Sequence, residues 1–265
     1  MTRHPFPLRE LDQRHYDVEF FRAFQQGSVA SARVIVPIVL DLFSPRSVVD
    51  VGCGIGTWLS AFEEHGVSDV VGVDGDYVNR DDMLIEQGRF IAHDLQQPLR
   101  LDRSFDLAVS LEVAEHLAPK AAATFVESLV RLAPAILFSA AIPQQSGAGH
   151  VNEQWPDYWA ALFARHGYQP VDCIRHRVWS HPDVEVWYAQ NALLYVEGSM
   201  LAHHARLARE FRPPAEALPL VHPRLYLAAL VDAPNRLTTR TLLAALPRAV
   251  VRTLRWRVAR PARRP

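Results

Sequence analysis

A glycine-rich segment near residue 50 carries the most specific chemical signal in the sequence. The segment Asp50-Val-Gly-Cys-Gly-Ile-Gly56 follows a short apolar run and precedes a helical pattern. Glycines at these positions let the backbone turn tightly and approach a ligand closely. The pattern that binds a dinucleotide would place a glycine at position 57, where this chain has Thr57. The segment therefore suits a nucleoside without a pyrophosphate better than NAD, and a dehydrogenase is disfavoured.

An acidic residue on the next apolar run fits the same ligand. Asp74 ends the run Val70-Val-Gly-Val-Asp74 and lies 18 residues beyond Gly56. A carboxylate at the end of a neighbouring strand can accept both hydrogen bonds from a ribose diol. The alternative interpretation is that the glycines only form a turn and that Asp74 only caps the next helix.

Two further segments carry polar side chains in a dense arrangement. Glu112, Glu115 and His116 are spaced to share one side of a turn. They could bind a substrate, tune one another's pKa or hold a divalent ion, or they could form a polar cap that orients the glycine segment. The loop 144–155 contains flexible glycines followed by His150, Asn152 and Glu153, and it is longer than an ordinary connection requires.

Apolar runs alternate with helical patterns through most of the chain, which predicts an α/β fold with a parallel sheet covered on both faces. The close spacing of the last two strands allows an antiparallel edge pair. Strands are predicted over 47–52, 70–74, 90–95, 105–111, 135–142, 171–179 and 185–196, and helices over 16–43, 57–65, 77–88, 120–133 and 155–166. The pattern after Gly198 is helical, polar and broken by prolines, so residues 1–198 are predicted to form the main domain and 199–265 a helical extension.

This glycine segment, with Asp74 on the following strand, resembles the class I S-adenosylmethionine-dependent methyltransferases over roughly residues 45–197. The resemblance implies a Rossmann-like sheet of seven strands, mostly parallel with the last strand antiparallel, and S-adenosylmethionine as the methyl donor. It implies that Asp50 and the glycine backbone face the amino-acid part of the cofactor and that Asp74 holds the ribose. Asp94 matches the position that meets the adenine amino group, although it could instead cap a helix or a turn.

The resemblance also implies a helical N-terminal segment that covers the cofactor, with the Tyr16 ring over the sulfonium. Asp76 and Tyr77 border the adenine in this interpretation. The residues predicted to bind the cofactor are Tyr16, Asp50, Gly52, Cys53, Gly54, Gly56, Trp58, Asp74, Gly75, Asp76, His93, Asp94, Leu95, Leu111 and Glu112.

The segment after the fourth predicted strand lacks the Asn/Asp-Pro-Pro-Tyr/Phe pattern of enzymes that methylate base or amide nitrogens, which disfavours DNA and glutamine as acceptors. The pattern from Tyr16 through the 150–153 and 187–191 segments resembles bacterial methyltransferases of glycan and natural-product pathways. This resemblance implies O-methylation of a sugar or a glycosylated small molecule. N-methylation of an amine and cofactor binding without turnover are the alternatives.

A hydroxyl is a poor nucleophile until a base removes its proton. His150 is the favoured base because imidazole titrates near neutrality, with Glu153 or Glu115 second and a metal-polarised hydroxyl third. His150 could instead cap the helix predicted from Trp155. The residues predicted to contact the acceptor are His116, Asn152, Trp155, Trp159, Trp187 and Tyr188. Trp187 and Tyr188 could instead belong to the core or to an interface.

Charge is distributed unevenly along the 265 residues. Residues 236–265 contain nine arginines and no acidic residue, which leaves 19 basic and 29 acidic residues in 1–235. An acidic body disfavours nucleic acid as a partner. A basic amphipathic helix is predicted between Pro247 and Pro261; it could dock on the inner face of an anionic membrane, bind this chain or a second copy in a homodimer, or stay solvated. The chain has two cysteines, and we count none of its apolar runs as a membrane span. Both observations favour the cytoplasm.

Overall fold

A computed structural model describes residues 18–145, 147–211 and 218–232, with short helical pieces beyond 238. The chain divides into two compact units, Met1–His222 and Pro223–Pro265. The boundary between the two units lies after His222, whereas the sequence predicts an extension that begins at residue 199. Tyr16 and most of the basic helix between Pro247 and Pro261 lie outside the described residues.

The first unit contains a sheet of seven strands in the order β3-β2-β1-β4-β5-β7-β6. The strands are β1 Ser47–Val51, β2 Asp69–Asp74, β3 Phe90–Ala92, β4 Leu107–Leu111, β5 Ala135–Ser139, β6 Tyr168–Val171 and β7 Leu193–Glu197. Strands β1 to β5 pair in parallel, whereas β7 is antiparallel to both of its neighbours. This arrangement confirms the mixed seven-stranded sheet that the sequence predicts.

Helices cover both faces of the sheet, because the buried strands are apolar on both sides. The helices are α1 Val18–Phe43, α2 Thr57–Glu64, α3 Ala122–Leu132, α4 Pro156–Ala164, α5 Arg175–Val178, α6 Val186–Asn191, α7 Gly198–His203, α8 Ala205–Glu210 and, in the second unit, α9 Pro223–Asp232. One core contains Ile35 of α1 and Leu59 of α2, and the other contains Phe125 of α3 and Phe163 of α4.

Helix α1 contains the segment Gln26–Phe43, which among the described residues is the one helix long and apolar enough to cross a membrane. The sequence-based expectation that no apolar run reaches this length is therefore wrong. In this structure the segment forms part of the core beside the sheet, because Ala32, Ile35, Val36 and Val39 are fully buried there.

Two predicted elements differ from the structure. The helix predicted over 77–88 is replaced by 3-10 turns at Arg80–Asp82 and Gln87–Arg89. Tertiary contacts explain the difference, because the Leu84 N–H donates to the Ile55 carbonyl at 2.8 Å and Ile85 is buried beneath the glycine segment.

The strands predicted over 171–179 and 185–196 are also misplaced, because α5 lies within the first range and α6 occupies the first half of the second. Aromatic and β-branched residues favour a strand here. A helix forms instead and carries Tyr188 into the core, where its hydroxyl hydrogen-bonds Ser28 at 3.1 Å.

Candidate functional site

A cavity of about 840 Å³ opens at the carboxyl ends of strands β1 to β4. This volume lies within the usual range of small-molecule sites, roughly 300–1,000 Å³. Nine of the residues predicted to bind the cofactor line it: Gly52, Gly54, Asp74, Gly75, Asp76, His93, Asp94, Leu95 and Glu112. The edge of the sheet where the sequence places a nucleoside therefore holds an open cavity.

The glycine segment leaves space at the floor of the cavity. Gly52 and Gly54 have φ angles of +92° and +52°, in the left-handed region that favours glycine. A Cβ atom at Gly52 would lie 2.3 Å from the Val113 side chain, so this glycine is required for packing. A Cβ atom at Gly54 would meet nothing within 4 Å, so its backbone stays open to a ligand in the cavity.

Asp74 ties the glycine segment to the second strand. Its Oδ2 accepts a hydrogen bond from the Gly54 amide at 2.7 Å. Its Oδ1 accepts hydrogen bonds from the Gly75 amide at 2.7 Å and from the Tyr77 hydroxyl at 2.5 Å. The alternative in which Asp74 only caps a helix is wrong, because the next helical turn begins at Arg80 and is capped by Asn79. The Tyr77 ring is largely exposed, so it can turn away and free Oδ1 for a ligand.

Asp50 carries a buried oxygen that lacks a protein partner. The residue is 2% exposed, and its Oδ2 has no hydrogen bond among the described residues. Burial raises the pKa of the Asp50 carboxyl well above its ordinary value, and the charge of Asp74 raises it further. A positively charged ligand group at this oxygen would stabilise the ionised carboxylate.

Asp94 forms a turn and also lines the cavity. Its Oδ1 accepts a hydrogen bond from the Gln96 amide at 3.0 Å, as expected for a turn residue. The two functions that the sequence leaves open for Asp94 are therefore compatible in this structure.

Glu112 lies where β4 ends and is held by groups from distant segments. Its φ angle is +54°, and its amide donates to the Ser139 Oγ at 3.0 Å. Its carboxylate accepts hydrogen bonds from Asn191 Nδ2 at 3.1 Å and from Gln145 Nε2 at 3.0 Å. Burial raises the pKa of Glu112, while these hydrogen bonds lower it.

Glu115 lies next to Glu112 and is completely buried. Its Oε1 accepts a hydrogen bond from the Ala141 amide at 3.2 Å, and its Oε2 has no hydrogen-bond partner among the described residues. Burial, with the charge of Glu112, raises the pKa of Glu115 to about 9. The carboxyl is therefore neutral near pH 7 unless a cation lies close to it.

The loop after β5 brings two imidazoles together beside Glu115. The backbone carbonyl of Glu115 accepts hydrogen bonds from the amides of Val151 at 2.8 Å and Asn152 at 3.0 Å, which fixes this loop. The ring of His150 then contacts the ring of His116 edge to face, with 4.9 Å between centroids. The Nδ1 atom of His150 lies 2.9 Å from Glu153 Oε1.

The sequence matches a family model described as methyltransferase domain over residues 22–177. This match covers more than half of the chain. The chain belongs to this methyltransferase family. The resemblance drawn from the glycine segment and Asp74 is confirmed.

Solved structures of other methyltransferases share the fold. A sugar N-methyltransferase, KedS8 from Streptoalloteichus sp ATCC 53650, has 16% sequence identity and a TM-score of 0.53, covering 74% of this chain and 96% of that chain. DesVI of Streptomyces venezuelae has 16% identity and a TM-score of 0.50, covering 72% and 100% of the two chains. A putative O-methyltransferase from Nostoc punctiforme PCC 73102 has 14% identity and a TM-score of 0.50, covering 68% and 59%. No curated protein sequence is similar enough to this chain to count as a match.

Several side chains that were predicted to contact ligands belong to the core of the methyltransferase. Trp159 is 2% exposed and packs on Phe138 with 5.3 Å between ring centroids, so the structure does not place it at an acceptor. Tyr188 is also buried and contacts the Trp58 ring at 5.1 Å. The side chains of Cys53, Trp58 and Leu111 lie in the same apolar core, and Trp187 packs against it.

The remaining acceptor candidates lie on the loop after β5. Asn152 is buried and donates a hydrogen bond to the Ala114 carbonyl at 3.4 Å, so it positions the loop. Trp155 is 42% exposed and remains available to a ligand. His116 is both an acceptor candidate and a cavity-lining residue.

Two site residues are absent from the predicted set. Gln145 and Asn191 hold the Glu112 carboxylate, although they are 33 and 79 residues away in the chain. Their signal in the sequence is weak, because Gln145 lies among polar residues of the loop after β5 and Asn191 is the last residue of α6.

Proposed function

We propose that this methyltransferase transfers the methyl group of S-adenosylmethionine to a hydroxyl group of a small molecule or carbohydrate. The observation that supports this most is the continuity of the cavity, which reaches from the glycine segment and Asp74 to Glu112 and His116. One wall suits a nucleoside. On the other wall, the ring of His116 contacts the ring of His150, an imidazole that could remove a proton.

The residues present fit the cofactor. We assign Asp74 to the ribose diol and Asp94 to the edge of the adenine, because both residues line the cavity. We assign the unpartnered Oδ2 of Asp50 to the ammonium group of the cofactor; Asp50 lies two residues before Gly52, which lines the cavity. When bound, the cofactor supplies an electrophilic methyl group on a positively charged sulfur.

The charge of the cavity agrees with such a cationic ligand. Asp74, Asp76, Asp94 and Glu112 line it, whereas none of the described residues that line it is a lysine or an arginine. A ligand with phosphate groups would be repelled by these carboxylates, which also disfavours a dinucleotide.

We assign His150 to the removal of the acceptor's proton in the absence of a metal ion. Its Nδ1 is hydrogen-bonded to Glu153, which leaves Nε2 to accept a proton from a hydroxyl. Glu115 is a weaker candidate, because its raised pKa keeps it protonated near neutrality. Proton removal of this kind contributes about 10²–10⁴-fold to a rate.

The experiment that tests this proposal begins with calorimetric titration of S-adenosylhomocysteine. Saturable binding is expected, and no binding at millimolar ligand rejects the proposal. The enzyme is then incubated with S-adenosylmethionine and a panel of sugars, nucleotide sugars and glycosylated metabolites, with S-adenosylhomocysteine as the readout. Cofactor binding without turnover on any acceptor supports a non-catalytic binding protein.

A second candidate function is N-methylation of an amino sugar, which is favoured by the described activity of KedS8. An amine with a free lone pair needs no strong base. We therefore expect His150→Ala to lower kcat by about 10²-fold or more for a hydroxyl acceptor. The same substitution should change kcat by less than about threefold for an amine. His203→Ala is the matched control, because His203 is an exposed imidazole on α7.

We make a separate proposal for the arginine-rich segment 236–265: it contacts an anionic membrane or a second copy of this chain. Replacing Arg248, Arg252 and Arg255 with glutamine in the full chain should abolish flotation with anionic vesicles if the segment binds lipid. The lipid proposal is contradicted if the glutamine variant floats as well as the wild type, or if the wild type does not float. Sedimentation at several protein concentrations tests the homodimer.

A further inference from the structure

We propose that Glu115, His116 and His150 bind a divalent transition-metal ion at the acceptor end of the cavity. Each of the three side chains offers one ligand atom, and these atoms lie within 4.8 Å of one another. Metal–ligand bonds of about 2.0–2.2 Å place two ligands of one ion at most about 4.4 Å apart. A shift of a few tenths of an ångström in the exposed His116 ring would close the remaining distance.

The buried carboxyl of Glu115 is the main observation that favours a bound cation. Its Oε2 has no hydrogen-bond partner among the described residues, and the carboxylate of Glu112 lies close by. Within the described part of the chain, no lysine or arginine is among the charges that act on either glutamate. Buried polar atoms in proteins are normally hydrogen-bonded, and a bound ion is one explanation of an exception. An ion at this position would supply a partner for the Glu115 Oε2 atom and would lie close to the Glu112 carboxylate.

The two imidazoles are already oriented as metal ligands usually are. The Nδ1 of His150 is hydrogen-bonded to the Glu153 carboxylate, which leaves Nε2 for an ion. The ring of His116 is hydrogen-bonded to the backbone of Gly149. Histidines that bind metals typically donate their second ring N–H to a carboxylate or a backbone carbonyl, which fixes the tautomer and the ring orientation.

The ligand set identifies the class of ion. Two imidazoles and one carboxylate suit Mn²⁺, Fe²⁺, Co²⁺ or Zn²⁺, whereas Mg²⁺ and Ca²⁺ prefer sites made of oxygen ligands. Three protein ligands leave at least one coordination position open, as in catalytic zinc sites. His116 lines the cavity, so an ion held by this ring would lie beside the cavity.

A catalytic role for the ion rests on the proposed function. An acceptor hydroxyl bound at the open position would have a lower pKa and would pass its proton more easily to water in the open cavity. In the metal-bound protein, His150 is then a ligand and the ion takes over the activation of the hydroxyl. In the metal-free protein, His150 remains the base.

Metal binding is tested without acceptor or cofactor. The protein is treated with a chelator, desalted and titrated with Mn²⁺, followed by electron paramagnetic resonance, and with Co²⁺, followed by visible absorption. We expect one ion per chain. His116→Ala and Glu115→Gln should weaken binding at least about 100-fold, and Glu153→Gln about 10–100-fold. His203→Ala and Glu197→Gln are the matched controls, because both residues are exposed.

Two results overturn this inference. One is the absence of saturable binding of both Mn²⁺ and Co²⁺ to the wild type at millimolar concentration. The other is binding that His116→Ala and His150→Ala leave unchanged. His116→Ala is informative even if Glu115→Gln fails to fold, because the His116 side chain is exposed. Titration with S-adenosylhomocysteine separates the two proposals: metal binding without cofactor binding refutes the proposed function alone, and the reverse refutes the metal site alone. Full methyl transfer by the chelated enzyme overturns the catalytic role of the ion.

Discussion

At the cofactor end of the cavity, the polar groups come from the ends of adjacent parallel strands, whereas at the acceptor end they come from segments that are far apart in the chain. Gly54 and Asp74 follow or end β1 and β2, whose register is fixed by five residue pairs. Glu112, Gln145 and Asn191 come from β4, the loop after β5 and α6. The sheet positions the first group, and a network of side chains positions the second.

This difference predicts two kinds of response to substitution. At the cofactor end, each group is held by backbone geometry, so one change should alter cofactor affinity without propagating to neighbouring groups. At the acceptor end, the carboxyl and amide groups hold one another. A change there should lower turnover and propagate to neighbouring groups, while cofactor affinity stays near its original value.

The largest effect is expected at Gly54. A valine side chain at this position would extend into the open space in front of the glycine segment. We expect Gly54→Val to weaken S-adenosylhomocysteine binding at least about 100-fold, which corresponds to a loss of about 2.7 kcal/mol. Isothermal titration measures this change.

Gly66→Val is the matched control for Gly54→Val. Gly66 also has a positive φ, of +90°, and a Cβ atom there would meet nothing within 4 Å, but the residue follows α2 rather than lining the cavity. The control reproduces the backbone strain without filling the site. Equal losses of affinity in both variants would show that strain, not occupied space, causes the effect.

The same contrast explains how much of the molecule could be predicted from its sequence. Short apolar runs, glycines and an acidic strand end are local signals, so the sheet, the glycine segment and Asp74 could be recognised. The 3-10 turns within 77–88 depend on Ile85 packing under the glycine segment, and α6 depends on the contact between Tyr188 and Ser28. Nothing in their sequence spacing marks Gln145 or Asn191 as partners of Glu112.

Asp50 should show opposite effects on binding and stability. Asp50→Asn removes a buried group whose ionisation burial makes costly, so we expect the ligand-free protein to gain about 1–3 kcal/mol in its free energy of unfolding at neutral pH. The same change should weaken cofactor binding about 10–100-fold, because a charged hydrogen bond is lost. Chemical denaturation and calorimetric titration measure the two effects, and a loss of both stability and affinity contradicts this account.

The pKa of Asp50 also gives these effects a pH dependence. Because the folded protein raises this pKa, the contribution of Asp50 to stability is fully present below its ordinary pKa of about 3.9 and is lost as the pH rises through the folded value. A cationic ligand lowers the raised pKa, so binding should release a proton and tighten as the pH rises through this window. Asp50→Asn should abolish the proton release, which titration in buffers of different ionisation enthalpy detects.

A smaller effect, on turnover alone, is expected at the acceptor end. Asn191→Leu removes a donor to Glu112 at 3.1 Å while retaining a side chain of similar size. We expect kcat to fall about 10-fold, because the Glu112 carboxylate loses part of its positioning. The dissociation constant of S-adenosylhomocysteine should change by less than about threefold. A larger change in affinity than in kcat would contradict the division between the two ends.

The smallest effect is expected at Tyr77, whose hydroxyl contacts Asp74 at the cofactor end of the cavity. In the ligand-free protein this hydroxyl donates to Asp74 Oδ1, an oxygen that we assign to the ribose. Tyr77→Phe removes the competing donor and keeps the ring, so cofactor affinity should stay equal or improve by up to about threefold. Tyr226→Phe, on α9, controls for the loss of a phenol. Binding weakened about 10-fold by Tyr77→Phe would mean that the hydroxyl contacts the ligand itself. The carboxylate of Asp74 would then hold the site in shape rather than bind the ribose.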